Sequence, residues 1–201
     1  VFRELLASKL AGIADLSPEQ CHKLEAHYRL LVLWNRVLNL TAIDTVGAAV
    51  ERHYCESIFL AVRLPKEPLR VADIGSGAGF PGFPVAVLRP DCTVTLIESH
   101  KRKAVFLREA TRGMSNVRVL AQRAESISER FDCAVCRAVS YDDLLPILKR
   151  IAPAADLLTG AEEPPEGLGL EWQESIRLPW GENRFLRMSV PRETTRETCS
   201  T

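Results

Sequence analysis

Residues 71–82 read VADIGSGAGFPG, with Gly75, Gly77, Gly79 and Gly82 following an acid, Asp73. An apolar run ending this way is a strand that passes through a bare-backbone turn into a helix, where main chain can closely approach a ligand. A phosphate, a dinucleotide and a methyl-donor nucleoside are the candidates. The P-loop pattern requires Gly followed by Lys and then Ser or Thr, and this loop has no such Lys. GAGFPG, Gly77 to Gly82, spells G-x-G-x-x-G, but a dinucleotide fingerprint should begin directly after the strand, and Gly75-Ser76 intervene. The better parse is strand, Asp73, then G-x-G-x-G at Gly75, Gly77 and Gly79. An acid there is awkward beside a pyrophosphate. It suits a ligand with a positive centre and an amino group, such as S-adenosylmethionine. Asp73 can serve such a loop equally by accepting its backbone N–H groups.

Further strand ends carry matching chemistry. TLIES ends a second strand at Glu98, placed to accept both ribose hydroxyls, a feature that serves a nicotinamide dinucleotide and S-adenosylmethionine alike. RAES, Arg123–Ser126, follows a third strand, and a backbone N–H at Ala124 beside the Glu125 carboxylate could read an adenine edge. FDCAVCRAVS supplies a fourth strand with Arg137 at its carboxyl end. Ligands of open α/β sheets bind at those carboxyl ends. The candidate cofactor residues are therefore Asp73, Gly75, Ser76, Gly77, Gly79, Glu98, Ala124, Glu125 and Arg137.

The elements that must position them follow from periodicity. Residues 2–62 read as helical. FRELLASKLAGI is amphipathic. Ser17, Pro18 and Gln20 form a capping box ahead of a helix with Leu24, Tyr28, Leu31, Trp34 and Leu38 on one face, and a third helix runs through AAVERHYCESIFLAVRL. Pro65 and Pro68 mark a boundary, giving a helical cap over 1–64 and a second domain over 65–201. Beyond it, RVADI, TVTLIE, VRVLA and CAVCRA read as strands, with helices in PGFPVAVLR and in KRKAVFLREATR, where Val105, Phe106 and Glu109 recur at turn spacing. This alternation predicts a Rossmann-like α/β fold with a mostly parallel sheet and right-handed crossovers. ADLLT predicts a fifth strand, QESIRLP and ENRFLRMSV a final antiparallel pair, and PRETTRETCST a frayed tail.

The chain has 201 residues, with 26 basic and 26 acidic, so no whole-chain charge drives it onto naked nucleic acid, although a local basic face remains compatible. No apolar run is long enough to span a bilayer and no basic-then-apolar leader is present, which predicts a cytoplasmic protein without a membrane partner. CAVC has metal-pair spacing, but no second ligand pair accompanies it, and in a strand Cys133 and Cys136 face opposite sides; no metal is expected.

DIGSGAGFPG, TLIES, RAE and RAV, in that order, resemble the glucose-inhibited division protein B family, and YRLLVLWNRVLNLTAI and ERHYCESI resemble its amino-terminal segments. The resemblance covers roughly residues 24–150. It implies an S-adenosylmethionine-dependent methyltransferase fold with an N-terminal helical extension, acting on guanine N7 of small-subunit (16S) ribosomal RNA. It places the cofactor against Gly75 and Phe80, Ala124 and Glu125 beside the adenine, and Arg137 at the mouth. Glu56 stands where the family pattern has Asp. Beyond residue 151 the match is poor: APAA replaces a Pro-Gly-Gly turn, Thr159-Gly160 replaces Lys-Gly, and the next helix is shortened or lost.

Guanine N7 carries a lone pair and no proton, so this transfer requires no general base and no catalytic acid–base residue is expected; Arg123 and Arg137 would act by positioning. His53 is expected to order the interface between cap and sheet. N7 lies in the major groove, which is deep and narrow in A-form RNA, so the target should be a looped or distorted guanine, in free RNA or in a ribosomal particle. Lys101, Arg102, Lys103, Arg108 and Arg112, with Arg29, Arg36 and Arg52 from the cap, are candidate RNA contacts. The alternatives are a methyltransferase for a non-RNA substrate, a nicotinamide-dependent oxidoreductase and a non-catalytic ribosome assembly factor.

Overall fold

The computed structural model describes residues 1–165 and 170–191, so the predicted frayed tail lies almost wholly outside the described residues. Strands β1 (Arg70–Ile74), β2 (Thr93–Ile97), β3 (Val117–Leu120), β4 (Cys133–Arg137) and β5 (Ala155–Thr159) are parallel and stand in the order β3-β2-β1-β4-β5. β6 (Leu170–Trp172) and β7 (Ile176–Arg177) both pair antiparallel with β8 (Phe185–Pro191), which itself lies antiparallel to β5. The order reverses between β1 and β4, the switch point at which such sheets open a crevice.

Helices α1 (Phe2–Leu10), α2 (Pro18–Leu38), α3 (Val46–Ala49) and α4 (Glu56–Ala61) form the cap. The capping box at the start of α2 is present: Ser17 Oγ accepts from the Gln20 N–H at 3.1 Å, and Gln20 Oε1 accepts from the Ser17 N–H at 2.9 Å. Leu24 and Leu31 are buried as the spacing requires, with Tyr28, Trp34 and Leu38 half-buried beside them. The expected third helix is not regular: a π-helical segment, Val50–Cys55, joins α3 to α4. Such wide turns occur preferentially at functional sites, and this one carries Arg52 and His53 and leads directly into Glu56.

Helices α5 (Gly82–Leu88) and α6 (Lys101–Ala110) join the cap on one sheet face, and α7 (Tyr141–Ile151) covers the other. Cys133 packs into the first layer and Cys136 into the second, as alternation in a strand dictates. On α6, Phe106 is buried, but Val105 is 49% exposed and belongs to the outer face.

Among the described residues no helix follows β5. The fully buried Arg187 of β8 secures that connection instead. It donates to Thr159 Oγ1 at 3.0 Å, to the carbonyls of Gly160 and Ala161 at 3.4 and 3.3 Å, and to Glu163 and Ser175.

Candidate functional site

β1 stops at Ile74, and the chain turns through Gly75, Gly77 and Gly79 with φ of 69°, 55° and 93°. Two acids hold this turn. Asp73 is fully buried, and its Oδ2 accepts the Gly82 N–H at 3.0 Å. Ser76 Oγ donates to the Asp73 carbonyl at 3.0 Å. Glu98, at the end of β2, accepts the Gly77 N–H at 2.9 Å on Oε2 and the His100 N–H at 2.7 Å on Oε1. The acid expected from the sequence to read a ribose is, in this structure, a clamp on the glycine loop.

Burial pushes the Asp73 carboxyl up to about 7, and burial raises that of Asp156 in β5 to about 7 as well. Both groups hold their proton more tightly folded than unfolded. The stability each contributes is complete below the ordinary carboxyl value near 3.8 and is lost as pH rises through about 7. These two contributions fall between about pH 4 and pH 7, while the buried histidines His27 and His53, which burial lowers to about 3, add stability as pH rises from about 3 to about 6.5, so the two sets oppose each other across this window. Asp156→Asn removes one falling contribution and should make stability rise more steeply with pH across this window in urea unfolding, and a slope unchanged in this variant would remove Asp156 as a contributor.

A cleft of about 300 Å³ opens at the carboxyl ends of the strands, lined by Gly75, Arg123, Ala124 and Glu125 together with Ile74, Ile97, Ser99, Gln122, Val139, Asp143 and Ile147. A Cβ on Gly75 would come within 3.3 Å of Val139 Cγ2 and narrow the crevice between loop and β4, whereas one on Gly77 would meet only the Gly75 carbonyl at 3.8 Å. The cleft suits a flat, uncharged ring on apolar walls, with polar backbone and carboxylate groups at the rim. The residues fit an adenosyl group of the kind the glycine loop suggests.

The structure divides the sequence-predicted set. Gly75, Arg123, Ala124 and Glu125 line the cleft. Ser76, Gly79 and Phe80 are buried, so their side-chain positions face the interior and any ligand contact there falls to backbone. Arg137 stands apart from the cleft walls, on the cap side. Ile74, Ile97, Ser99 and Gln122, beside the predicted positions, also line the cleft without having been singled out, and the wall missed altogether is Val139, Asp143 and Ile147. They belong to α7 and the turn before it, whose signal was the Ser140 N-cap, with Oγ accepting the Asp143 N–H at 3.3 Å, and an apolar stripe interrupted by Pro146.

Arg137 is held by the cap. Its guanidinium can only donate, so the Nδ1 of His53 accepts from it. The proton of neutral His53 must then sit on Nε2, which donates to Thr41 Oγ1 at 2.8 Å. Burial, reinforced by the Arg137 charge, brings His53 down to about 3 and keeps it neutral. Its ring stacks on Phe80 with centroids 4.6 Å apart. A second cap histidine repeats the device: His27 Nε2 donates to the Ala78 carbonyl at 3.0 Å, Nδ1 accepts from Tyr54 Oη at 2.7 Å, and burial brings it to about 3. The cap therefore grips the glycine loop and Arg137 through two neutral imidazoles.

Behind Arg137 lies the fully buried Glu56. Arg184 from the segment before β8 binds it in a fork, Nε at 3.0 Å and Nη2 at 2.6 Å, with Arg52 Nε at 3.4 Å and Arg137 Nε at 3.8 Å. Burial draws the Arg137 guanidinium down to about 10, still charged at neutral pH. Arg184 was not singled out from the sequence, because nothing local marks its partner 128 positions away.

Residues 20–152 match the GidB family, described as rRNA small subunit methyltransferase G. The chain is 37% identical over 161 residues to a ribosomal RNA small subunit methyltransferase G of Halorhodospira halophila, covering 79% of this chain and 71% of that protein. It is 31% identical over 215 residues to one from Streptococcus equi subsp. zooepidemicus, covering 94% and 90%. In fold it is similar to a SAM dependent methyltransferase from Aquifex aeolicus, with a TM-score of 0.56, 19% identity, and coverage of 71% of this chain and 92% of that one. By this family match and these relatives, the chain belongs to the GidB family of S-adenosylmethionine-dependent small-subunit ribosomal RNA methyltransferases.

Proposed function

We propose that this chain methylates N7 of a guanine in small-subunit ribosomal RNA, free or within a ribosomal particle, in the cytoplasm. The observation that supports this most is the cleft beside the glycine loop at the switch point of the sheet. When bound, S-adenosylmethionine supplies an electrophilic methyl group on sulfur. Gly75 and Gly77 leave room for the cofactor, Ala124 and Glu125 flank its adenine, and Glu98 keeps lone pairs for the ribose hydroxyls. N7 attacks with its own lone pair, so the residues orient and desolvate rather than move a proton. Arg137, fixed by His53 and Glu56, anchors the end of the cofactor site facing the cap (residues 1–64). Among the described residues, no helix is long and apolar enough to cross a membrane.

The test is transfer of labelled methyl to small subunits, free ribosomal RNA and bulk protein, all taken from cells lacking this enzyme. Label at guanine N7 in RNA is expected. Label in protein alone, or none despite cofactor binding, would redirect the assignment to a non-RNA substrate or an assembly role.

The two arginines should separate. Arg123 is exposed, and its side chain makes no bond among the described residues. Arg123→Ala is expected to leave unfolding unchanged within about 0.5 kcal/mol and to lower the salt slope of RNA binding by about one. Arg137→Ala is expected to weaken cofactor binding and to lower the melting temperature. Equal effects of both variants on cofactor affinity would contradict the division.

A further inference from the structure

A second cavity, of about 210 Å³, lies in the cap between the last turns of α2, the 41–45 connection and α3. Leu31, Val32, Ile43 and Ala49 give it apolar walls, and Asp44 and Arg36 stand at its rim. Both charged side chains are exposed, and neither makes an ion pair or hydrogen bond with any described residue. The wall between them is rigid: Asn35 donates Nδ2 to the Thr41 carbonyl and accepts the Thr41 N–H on Oδ1, both at 2.9 Å. Thr41 also lines the cavity, and its Oγ1 accepts a hydrogen bond from His53 Nε2 at 2.8 Å, while the other nitrogen of that ring accepts from Arg137. The cavity therefore lies across one imidazole from the cofactor-side arginine.

Resting on the reading of this chain as an RNA methyltransferase, we propose that the cap cavity is a nucleobase subsite, which takes a guanine flanking the methylated nucleotide. The apolar walls match the faces of a splayed base, the usual form in which single-stranded RNA is read. A free carboxylate at the rim can accept the N1–H and N2–H donors of the guanine Watson–Crick edge. Adenine offers no such pair of donors, and its N1 is an acceptor that the carboxylate would repel. The free guanidinium of Arg36 is placed for the phosphate of the same nucleotide. His53 and Phe80 fill the space towards the glycine loop, so the base in this cavity is a neighbour of the target and not the target itself. Through Thr41 and His53, a filled cavity also buttresses Arg137, linking RNA recognition to the cofactor end of the site.

The test uses the full chain and small ribosomal subunits from cells lacking the enzyme. Asp44→Asn and Arg36→Ala are surface changes, so circular-dichroism melting should match the parent protein. The KM for subunits is expected to rise about tenfold with Asp44→Asn, the scale of one lost two-bond base contact, while the Kd for S-adenosylmethionine holds. In parallel, guanosine 5′-monophosphate is titrated into protein saturated with S-adenosylhomocysteine, which blocks the adenosyl cleft. The Val32 and Ile43 methyl resonances should shift, and the shift should vanish in Asp44→Asn. A parental KM in both variants, or equal shifts with adenosine 5′-monophosphate, would overturn the subsite. Absence of RNA methylation by the parent protein would instead overturn the functional reading on which it rests.

Discussion

Glu56→Gln is expected to destabilise the protein by about 3–5 kcal/mol, the scale of breaking a buried ion pair by removing one partner. Glu56 is fully buried, and its carboxylate faces the guanidinium groups of Arg52, Arg137 and Arg184. Glutamine keeps the volume but removes the negative charge at their centre. Its NH₂ also presents donors to groups that can only donate. The three arginines come from the π-helical segment, the end of β4 and the segment before β8, so the loss should be felt as a loosening of cap, sheet and carboxyl-terminal hairpin together. Domains of this size have only about 5–15 kcal/mol of stability in all, and the variant should unfold at a much lower urea concentration. Glu56→Asp keeps the charge on a shorter stem and should lose markedly less. A Glu56→Gln protein within about 1 kcal/mol of the parent would show that the cluster contributes little net stability.

Much of this architecture was legible in the sequence, because its signals are local. The capping box at Ser17 acts over four residues, the strands are short apolar runs between turn residues, and the glycine spacing can satisfy little other than a strand-to-helix turn. What could not be read depends on partners far apart in the chain. Phe80 looks like a cofactor contact in a loop motif, yet its ring is buried between the two cap histidines. Glu56 looks like a conservative change in a helix, and only the fold brings Arg184 to it. The α7 helix was hidden by Pro146, and with it one wall of the cleft beside the glycine loop. The π-helical segment has no compositional mark; it shows only in how the chain sets His53 and Glu56 against Arg137.

The second large effect is expected at Gly82, where the need for glycine is steric and not conformational. A Cβ there would collide with Leu96 Cδ2 and fall 2.5 Å from Asp73 Oδ2 and 2.7 Å from Asp73 Cβ. Overpacking of a tight core costs about 1–3 kcal/mol, and two of these three contacts are with a side chain on a central strand whose own Oδ2 accepts the Gly82 N–H. To admit the methyl group, either α5 must move away from β1 or the Asp73 carboxylate must swing aside. Both release the bond that closes the glycine loop. Gly82→Ala is therefore expected to reduce S-adenosylmethionine affinity by more than its loss of stability alone would require, measured by calorimetry at a temperature where the variant is fully folded. The double variant Gly82→Ala/Leu96→Ala separates the causes. It clears the contact with Leu96 but leaves both contacts with Asp73, so cofactor binding should stay weak. Recovery of parental affinity in the double variant would place the obstacle at Leu96 and free Asp73 from its role as the clamp of the loop.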